Sequence, residues 1–466
     1  MKTIIRKELL EHLKSVQFAV LAAASVVLFA ANGLIFVQQY KRLNADYRQA
    51  VTAAEAQRST IMTSLNRAPR PLLFMAEGGD KASPSGYRLS PKMTLSALPA
   101  APQNYKMPEV PELDWAFIIK IVFSLYVILL AFEAVSGEKE RGTLRLVLSN
   151  HAGRAKVLTA KYLAIMASAA IPLVIGFLIS LIVIGIFLPS VLSLANVMRV
   201  VVFLLLGLAY LSLFVFLSLF FSALILRSSL VLLVLLAFWI FFAFFIPDSS
   251  GILAEKFSKV PSEYQMAKSF GPTVQDQVWK RIASIKDRIE KGEFKTEKEV
   301  LDEADRAFEE GQDSVRKLYD DYDIAMKGRA GSARRISRVS PAALFQYAAE
   351  AVSETGLRAD ERFLEDVRNF SRVYDDYILK KVGKVVGTSP WSFSTGAMLN
   401  GKYINLRSPQ PLDYRGDKSD FPEFEERPAS LGAAFQSALG DLAGLLVWNI
   451  LLAGLAFSAF LRADVR

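Results

Sequence analysis

FEAVSGEKERGTLRLVLSNHAGRAKVLTAKY, residues 132–162, is a charged stretch that lies between two long apolar runs of the sequence. Its charged centre, residues 138–141, is followed by Gly142 and Thr143 and then by leucines at alternate positions. This pattern predicts a short helix that begins where the charges end. A charged elbow between two apolar runs is typical of a membrane protein, and such a helix can lie on the membrane surface and dock into another protein.

Outward from this elbow, the apolar residues are concentrated in a few blocks. The chain has 466 residues, of which 52% are hydrophobic, and this composition indicates a membrane protein. A bilayer core of about 30 Å is crossed by a helix of roughly 20 apolar residues. Six stretches have this length, so the sequence predicts a polytopic α-helical membrane protein with six transmembrane helices. The predicted spans are residues 17–38, 115–135, 162–188, 199–225, 230–247 and 438–461.

Basic residues in the short loops predict the orientation of the spans, because Lys and Arg are enriched on the cytoplasmic side. They precede the first span, fill the elbow, occupy the turn between spans four and five, and end the chain. Six spans then place both termini in the cytoplasm of a bacterial plasma (inner) membrane, and Arg199 near an outer turn is a minor exception. The basic residues that set this orientation are Lys2, Arg6, Lys7, Lys14, Lys139, Arg141, Arg145, Arg154, Lys156, Lys161, Arg227, Arg462 and Arg466.

This topology divides the chain into five parts, two of which are expected to be extracytoplasmic. The parts are residues 1–38 with an N-terminal interfacial helix and span one, 39–113 as a first extracytoplasmic segment, 114–247 with spans two to five and the cytoplasmic elbow 136–161, 248–435 as a large and mainly helical extracytoplasmic domain, and 436–466 with span six and the cytoplasmic C-terminus.

The residues before the first span have a helical period, with Ile5, Leu9 and Leu13 on one face. This period predicts an interfacial helix that leads into a retained span. Two alternatives stay open. The stretch could be a cleaved signal peptide, since a basic start, an apolar run and small residues are all present, or an ordinary charged flank that only satisfies the orientation rule.

The large outer domain has helical periodicity in its central part. Apolar residues recur at spacings of three and four between positions 274 and 289, and again after Gly292, which predicts two amphipathic helices, arranged as a hairpin. The basic stretch from Gly328 to Arg338 is expected to be flexible. Ser340 and Pro341 are expected to open the next helix as N-cap and first-turn residues.

Two further outer stretches are less regular. Residues 387–428 are rich in Pro, Gly, Ser and aromatic residues, and we expect loop with short strands there. In the smaller outer segment, a polar helix is expected to continue to about Leu65, after which prolines make the chain irregular.

Few residues in the sequence support catalysis. There is no cysteine, which excludes disulfides, thiolate metal sites and cysteine nucleophiles. The two histidines, His12 and His151, are far apart and are expected to be solvated, so neither a histidine triad nor a metal site is indicated. The GxxxxGK[ST] phosphate loop is missing. The sequence thus predicts a non-catalytic chain without a cofactor of its own, and its net charge of +9 reflects membrane topology rather than nucleic-acid binding.

Ionisable residues within predicted spans are costly, so each of them points to a function or to a specific partner. Lys120 lies near the outer end of span two and is expected to extend to the interface. Glu133 lies near the inner end of the same span and is expected to pair with Arg or Lys of the elbow. The rest of the membrane core is predicted to be apolar, which disfavours an ion-driven pump with buried carboxylates.

The elbow resembles the signature of the ABC-2 permeases, the membrane subunits of type-2 ABC exporters. In that family an acidic-Arg-Gly-Thr-Leu run leads into a leucine-rich short helix, followed by Ser, a small residue or Pro, an Arg, an apolar pair and a Lys. Residues 6–15, RKELLEHLKS, are similar to the interfacial helix of the family, and residues 150–152, Asn-His-Ala, stand where many members have Pro. The matching residues are Glu140, Arg141, Gly142, Thr143, Leu144, Leu146, Leu148, Ser149, Arg154, Val157, Leu158 and Lys161.

The resemblance implies a mechanical role. A permease of this family forms half of a transmembrane pathway and pairs with itself or with a paralogue, while a pair of ATPase subunits binds ATP and Mg and hydrolyses the nucleotide. The helix from about Gly142 to Ser149 would be the coupling helix, with Thr143 as a cap and leucines that fill a groove on the ATPase. The residues expected to contact the ATPase are Glu138, Glu140, Arg141, Gly142, Thr143, Leu144, Arg145, Leu148, Ser149 and Arg154.

Two classes of function stay open at this point. The chain could be an exporter permease for a lipid-like or amphipathic substrate, a polysaccharide or a peptide. It could instead be a force-transmitting scaffold whose outer domain acts on envelope proteins without transport. A polar cavity would favour the first class, and a sealed apolar interface the second. The expected partners are the ATPase pair, a second permease, membrane lipids and an envelope protein.

Overall fold

The computed structural model describes residues 2–56, 63–79, 83–89, 96–98, 113–144, 153–258, 260–274, 276, 279–382, 394–407 and 420–462. Helices dominate these residues. The helices before the large outer segment are α1 (Lys2–Leu13), α2 (Val16–Ala56), α3 (Trp115–Phe117), α4 (Ser124–Ala131), α5 (Ser136–Glu140), α6 (Arg154–Phe187), α7 (Leu194–Leu224) and α8 (Ser228–Ile240). Those that follow are α9 (Ile246–Phe257), α10 (Glu263–Val274), α11 (Lys280–Glu290), α12 (Glu297–Ser337), α13 (Pro341–Ser353), α14 (Leu357–Val382) and α15 (Leu431–Arg462).

In the described part of the chain, six helical stretches are long and apolar enough to cross a membrane, and they confirm the predicted class of polytopic α-helical membrane protein. Each predicted span falls on one of them. Spans two and five contain π-helical turns, Ile118–Phe123 and Phe241–Phe245, that join their α-helical parts. The six stretches are Val16–Glu55, Trp115–Glu140, Arg154–Phe187, Leu194–Leu224, Ser228–Phe257 and Leu431–Arg462.

The spans pack through small residues and aromatic rings. Helices α2 and α6 lie against each other, and Gly176 of α6 gives them close approach, because a Cβ there would lie 2.3 Å from the Phe29 ring. The Ser25 hydroxyl of α2 donates to the carbonyl of Pro172, 2.7 Å away. This hydrogen bond gives the buried Ser25 hydroxyl a partner within the protein and joins the two spans where no water is available.

Span two begins inside the bundle. The Trp115 ring stacks on Phe177 with 3.9 Å between ring centroids, well before α6 ends at Phe187. The buried turn at residues 72–76 covers this start, since its Phe74 carbonyl accepts from the Trp115 N–H at 3.0 Å. Asn32 of α2 donates to the carbonyls of Phe74 and Leu113, at 3.3 and 2.6 Å. Backbone groups at this depth are therefore satisfied by protein.

Helix α13 belongs in sequence to the segment predicted to lie outside the membrane, but it packs among the spans, against α7 and α15. Its Phe345 ring stacks on Tyr210, with centroids 4.7 Å apart, and Tyr210 lies near the middle of the 31-residue helix α7. The predicted N-cap is confirmed, because the Ser340 hydroxyl accepts from the N–H groups of Ala342 and Ala343 at 3.1 and 3.3 Å. The depth of this helix is not apparent from its 13 residues, which are too few to cross a bilayer.

The basic stretch from Gly328 to Arg338 was expected to be flexible, and this expectation is wrong. Helix α12 continues through it to Ser337. An ion pair and a cation–π contact hold the stretch. Arg329 lies 2.9 Å from Glu255 of α9, and the Arg334 guanidinium lies 4.0 Å from the centroid of the Tyr347 ring. The two glycines are tolerated because tertiary contacts override their low helix propensity.

The smaller outer segment also differs from the expectation, because Leu65 lies in a strand instead of ending a helix. The three-stranded antiparallel sheet has the order β1 (Thr63–Asn66), β2 (Gly86–Leu89) and β3 (Ser96–Leu98). Its Leu65 and Leu89 pack in one apolar cluster with residues of α14 such as Phe363 and Val367. The helical continuation of span one ends earlier, at Ala56.

The helical hairpin of the large outer segment is confirmed. Helix α11 packs against α12, and Ile282, Ile285 and Ile289 are buried in their contact. The expected short strands are present as a β-hairpin, β4 (Ser394–Leu399) and β5 (Lys402–Arg407). This hairpin adds Ala397 and Ile404 to the same apolar cluster. The parts of this predicted stretch at residues 387–393 and 408–419 lie outside the described residues.

Candidate functional site

The elbow is tied to the ends of several spans, and we call this region the elbow end and the opposite one the insertion end. The Ser222 hydroxyl, near the end of α7, donates to the Phe132 carbonyl at 2.8 Å. It also accepts from the backbone N–H groups of Val135 and Ser136, at 3.0 and 2.9 Å. One hydroxyl thus supplies hydrogen-bond partners to the backbone groups that the break between α4 and α5 leaves unpaired. It also fixes the start of the elbow against span four.

A buried lysine joins three elements at the elbow end. The Lys161 side chain of α6 is 2% exposed, and its Nζ donates to Glu138 of α5 at 2.7 Å and to Glu8 of α1 at 2.9 Å. Charged hydrogen bonds of this length are strong when both partners are shielded from water. Movement of the elbow must therefore displace α1 and span three together or break a buried ion pair.

A second contact joins the elbow to the turn between spans four and five. One carboxylate oxygen of Glu140 accepts from the backbone N–H of Ser228 at 2.9 Å, and the other from its hydroxyl at 3.0 Å. The carboxylate lies at the first residue of α8, where unpaired N–H groups favour a negative charge. Lys139 donates to the Ala223 carbonyl of the preceding helix.

The predicted pair between Glu133 and the elbow is confirmed, since Glu133 lies 4.0 Å from the Arg141 guanidinium. Both side chains are largely exposed, so this pair contributes little to stability. Arg154 instead donates to the backbone carbonyl of Leu461 in α15, at 2.6 Å. Arg154 is the first residue of α6, so this hydrogen bond attaches the end of the elbow to span six.

The turn before the proposed coupling helix has the expected geometry at Gly142, whose φ of +69° lies in the left-handed region that favours glycine. The Thr143 N–H donates to the Glu138 carbonyl at 2.9 Å, which closes the turn. Leu144 is 3% exposed and packs in the core of the chain. The helix itself lies outside the described residues, and so do the predicted contact residues Arg145, Leu148 and Ser149 and the histidine His151.

The structure corrects two statements about polar residues at the elbow end and in the core. His12 was expected to be solvated, but it is partly covered, and this burial lowers the pKa of its imidazole. The core is also not uniformly apolar, because Lys161, Arg199 and Asp441 are all less than 5% exposed. Each has a charged or backbone partner, which explains how it is tolerated.

Other polar residues lie together at the insertion end, and most of them were missed. Lys120, expected to extend to the interface, donates to Gln346 of α13 at 3.0 Å because α13 covers it. Asp441 of span six binds Arg338 through both carboxylate oxygens, at 2.6 and 3.2 Å. An acidic residue inside a predicted span was the available signal for Asp441. Among the described residues, no group of three His, Asp or Glu side chains is placed to hold a metal ion.

Six apolar helices among the described residues, and a charged elbow that is tied to spans three, four, five and six, define a multi-pass membrane protein. The model of the family described as ABC-2 family transporter protein matches residues 2–465. The chain therefore belongs to the ABC-2 transporter family, and it is a transmembrane permease component of an ABC transporter. No protein of curated function shows significant sequence similarity to the chain.

Proposed function

We propose that the chain is the permease subunit of an ATP-driven ABC-2 exporter in a bacterial inner membrane, with both termini cytoplasmic. Two copies, or this chain and a paralogue, would form the transmembrane pathway, and a pair of separate ATPase subunits would bind ATP and Mg. The observation that carries this proposal is the elbow end, where Lys161 binds both α1 and the elbow. Such an arrangement suits a part that receives force from another protein.

The contacts of the elbow suggest how force would spread. An ATPase that binds the segment after Gly142 would push on residues 138–141, because a tight turn joins the two. Glu138 would carry the displacement to α1 and span three through Lys161, and Glu140 would carry it to span five through Ser228. Arg141 is an exposed charge of the turn, with 63% of its side chain accessible, and it remains available to the ATPase.

Force transmission to an envelope protein is the second candidate function, and one observation favours it. Helix α13 packs among the spans at the insertion end, so one helix of the outer domain is built into the membrane part. Motion of the spans would then reach the outer domain whether or not a substrate crosses. The two functions share the same ATPase coupling at the elbow.

The experiment that tests the coupling site is a charge placed on the proposed docking face. Leu148→Asp should preserve membrane insertion but greatly reduce co-purification of the ATPase, because an unpaired charge buried at an interface costs several kcal/mol. Asn150→Asp adds the same charge two residues further on, with little change in shape, and serves as the matched control. Co-purification at parental yield in the Leu148 variant would refute the coupling-helix assignment.

A further inference from the structure

Four spans hold helix α13 at its two ends and its middle, and we call this set of contacts the α13 clamp. At the N-terminal end, Arg338 precedes the helix and binds Asp441 of span six, whose side chain is 1% exposed. The Ser340 hydroxyl donates to the Phe242 carbonyl in the π-helical turn of span five. That turn frees backbone carbonyls, which makes them available to a neighbouring donor.

At the C-terminal end, span four supplies the clamp. Arg199 is 4% exposed, and its guanidinium donates to the Val352 carbonyl at 2.9 Å and to the Ala429 carbonyl at 2.6 Å. It also lies 3.6 Å from Glu354, the residue that directly follows the helix. The last carbonyls of a helix lack intrahelical donors, so a cation there both satisfies them and matches the helix dipole.

Span two holds the middle of the helix. Lys120 lies in the π-helical turn of that span and donates to Gln346 at 3.0 Å. Gln346 in turn donates to Glu350 at 3.2 Å, and the Glu350 carboxylate lies 4.0 Å from Arg334 at the end of α12. A single chain of polar contacts therefore runs from span two through α13 to the long outer helix.

The apolar contacts of the clamp leave little room for independent movement. Leu344 fits against Gly444 of span six so closely that a Cβ at this glycine would lie 2.9 Å from both methyl groups of the leucine. Packed interiors of this kind shift as units rather than deform continuously. Helix α12 ends at Ser337 and α13 begins at Pro341, so only a short joint separates the clamped helix from α12.

We propose that α13 makes the outer helix α12 follow spans two, four, five and six during transport, and that Arg338 and Asp441 are the positioning pair of this connection. Neither residue acts on a substrate. The pair fixes the joint between α12 and α13, so a rearrangement of span six changes the direction of α12. The ATP-driven step of this inference rests on the proposed function, whereas the connection itself does not.

The first test uses the chain alone in lipid nanodiscs. The sequence has no cysteine, so Arg42→Cys in α2 and Lys317→Cys in α12 introduce two spin labels without further changes. Pulsed electron resonance should give one narrow distance distribution between them.

Asp441→Asn keeps the shape of the side chain but removes its charge, and it should broaden the distribution about twofold as the pair is lost. Glu303→Gln, which breaks an exposed pair with Arg288 in the outer hairpin, should leave it unchanged.

A double variant separates positioning from stability. Arg338→Met with Asp441→Leu replaces a buried pair by apolar groups, which is often neutral for stability. It should restore the melting temperature that Asp441→Asn lowers, yet keep the broad distribution. A narrow distribution in the double variant, or no broadening in Asp441→Asn, would show that the pair only stabilises the fold and would overturn the proposal.

The second test adds the cognate ATPase and traps it with ATP and vanadate. In the trapped complex, the mean distance between the labels should shift in the parental chain but not in Asp441→Asn, although the Asp441→Asn complex still hydrolyses ATP when vanadate is left out. Hydrolysis without any shift in the parental chain would refute the proposed connection and leave the permease function intact. Failure of the ATPase to bind would refute the permease function, and the first test would still decide the role of the clamp.

Discussion

At the scale of single residues, Lys161 is the side chain on which the elbow end depends most. We expect Lys161→Met to lower the free energy of unfolding by about 3–5 kcal/mol, because removal of one partner leaves buried carboxylates without a counter-charge. Lys156→Met, at an exposed position of the same helix, should change it little. Thermal unfolding of the purified variants measures both, and equal melting temperatures would contradict the assigned role of Lys161.

The carboxyl group of Glu426 in the outer segment supports a prediction about pH. Burial is the main cause that raises its pKa above 4.5, partly offset by the N–H of Ala68 and nearby arginines. Because the folded-state pKa is raised, the stability that this group contributes is present below pH 4.5 and is lost as the pH rises through the folded-state pKa.

Glu426→Gln should therefore stabilise the protein at pH 7, since the amide oxygen can still accept from Ala68 and no charge is buried. The difference in melting temperature from the parent should shrink as the pH falls toward 4.5. Glu425→Gln at the exposed neighbouring position is the control and should show no such dependence. A destabilised Glu426→Gln at pH 7 would mean that the ionised carboxylate is favoured by its arginines.

The sequence predicted residue roles well where both partners lie in one segment. Glu133 and Arg141 are eight positions apart, and their contact was expected from the elbow alone. Lys161 was recognised as a basic residue of the elbow and as part of the family signature, but its ion pair with Glu8 was missed, because Glu8 lies 153 positions away. Spacing along the chain carries no information about such a contact. The same holds for Arg338 and Asp441, which come from different segments of the fold.

At the scale of helices, the crossing of α2 and α6 depends on the absence of a side chain at Gly176. Gly176→Ala should destabilise the protein by about 1–3 kcal/mol, because overpacking forces neighbouring groups to move. Gly454→Ala in α15 is the control, since a Cβ there meets no atom within 4 Å, and alanine has the better helix propensity. Melting temperatures in the same detergent compare the two variants.

The presence of the helices was predicted from sequence patterns, whereas the end of α12 and the position of α13, which depend on tertiary contacts, were not. The six spans follow from runs of apolar residues, although their polar ends, such as residues 39–56 of α2, extend beyond the predicted limits. The end of α12 was misjudged because its glycines and charges resemble a linker. The position of α13 depends on the start of span two, which lies deep in the bundle. The hydropathy of a sequence does not show at which depth neighbouring helices begin, so this position could not be predicted.

At the scale of the whole molecule, the orientation in the membrane is a prediction that labelling can decide. Single cysteines at Ser314 in α12 and at Ser149 in the elbow should react with an impermeant thiol reagent from opposite sides of the membrane, because the basic short loops favour a cytoplasmic elbow. The native chain, which lacks cysteine, is the background control. Reaction of both positions from the periplasmic side would contradict the six-span orientation.

The outer segment should not behave as a removable domain. Replacement of residues 274–380 by a flexible linker should lower the yield of folded protein sharply, because it removes α13 from the bundle core. Deletion of the β-hairpin, residues 394–407, should be tolerated far better, since that hairpin packs on α11 and α12. Size-exclusion profiles of the two deletions compare them, and a well-folded 274–380 deletion would show that the spans pack without α13.

The length of α12 determines how far its end moves when its base turns. A continuous helix of 41 residues is about 60 Å long at about 1.5 Å per residue. If its base turns by about 5°, its far end travels about 5 Å, roughly the pitch of one helical turn. A tilt of the spans that is too small to open a wide passage would thus move the far end of α12 far enough to displace an envelope protein bound there.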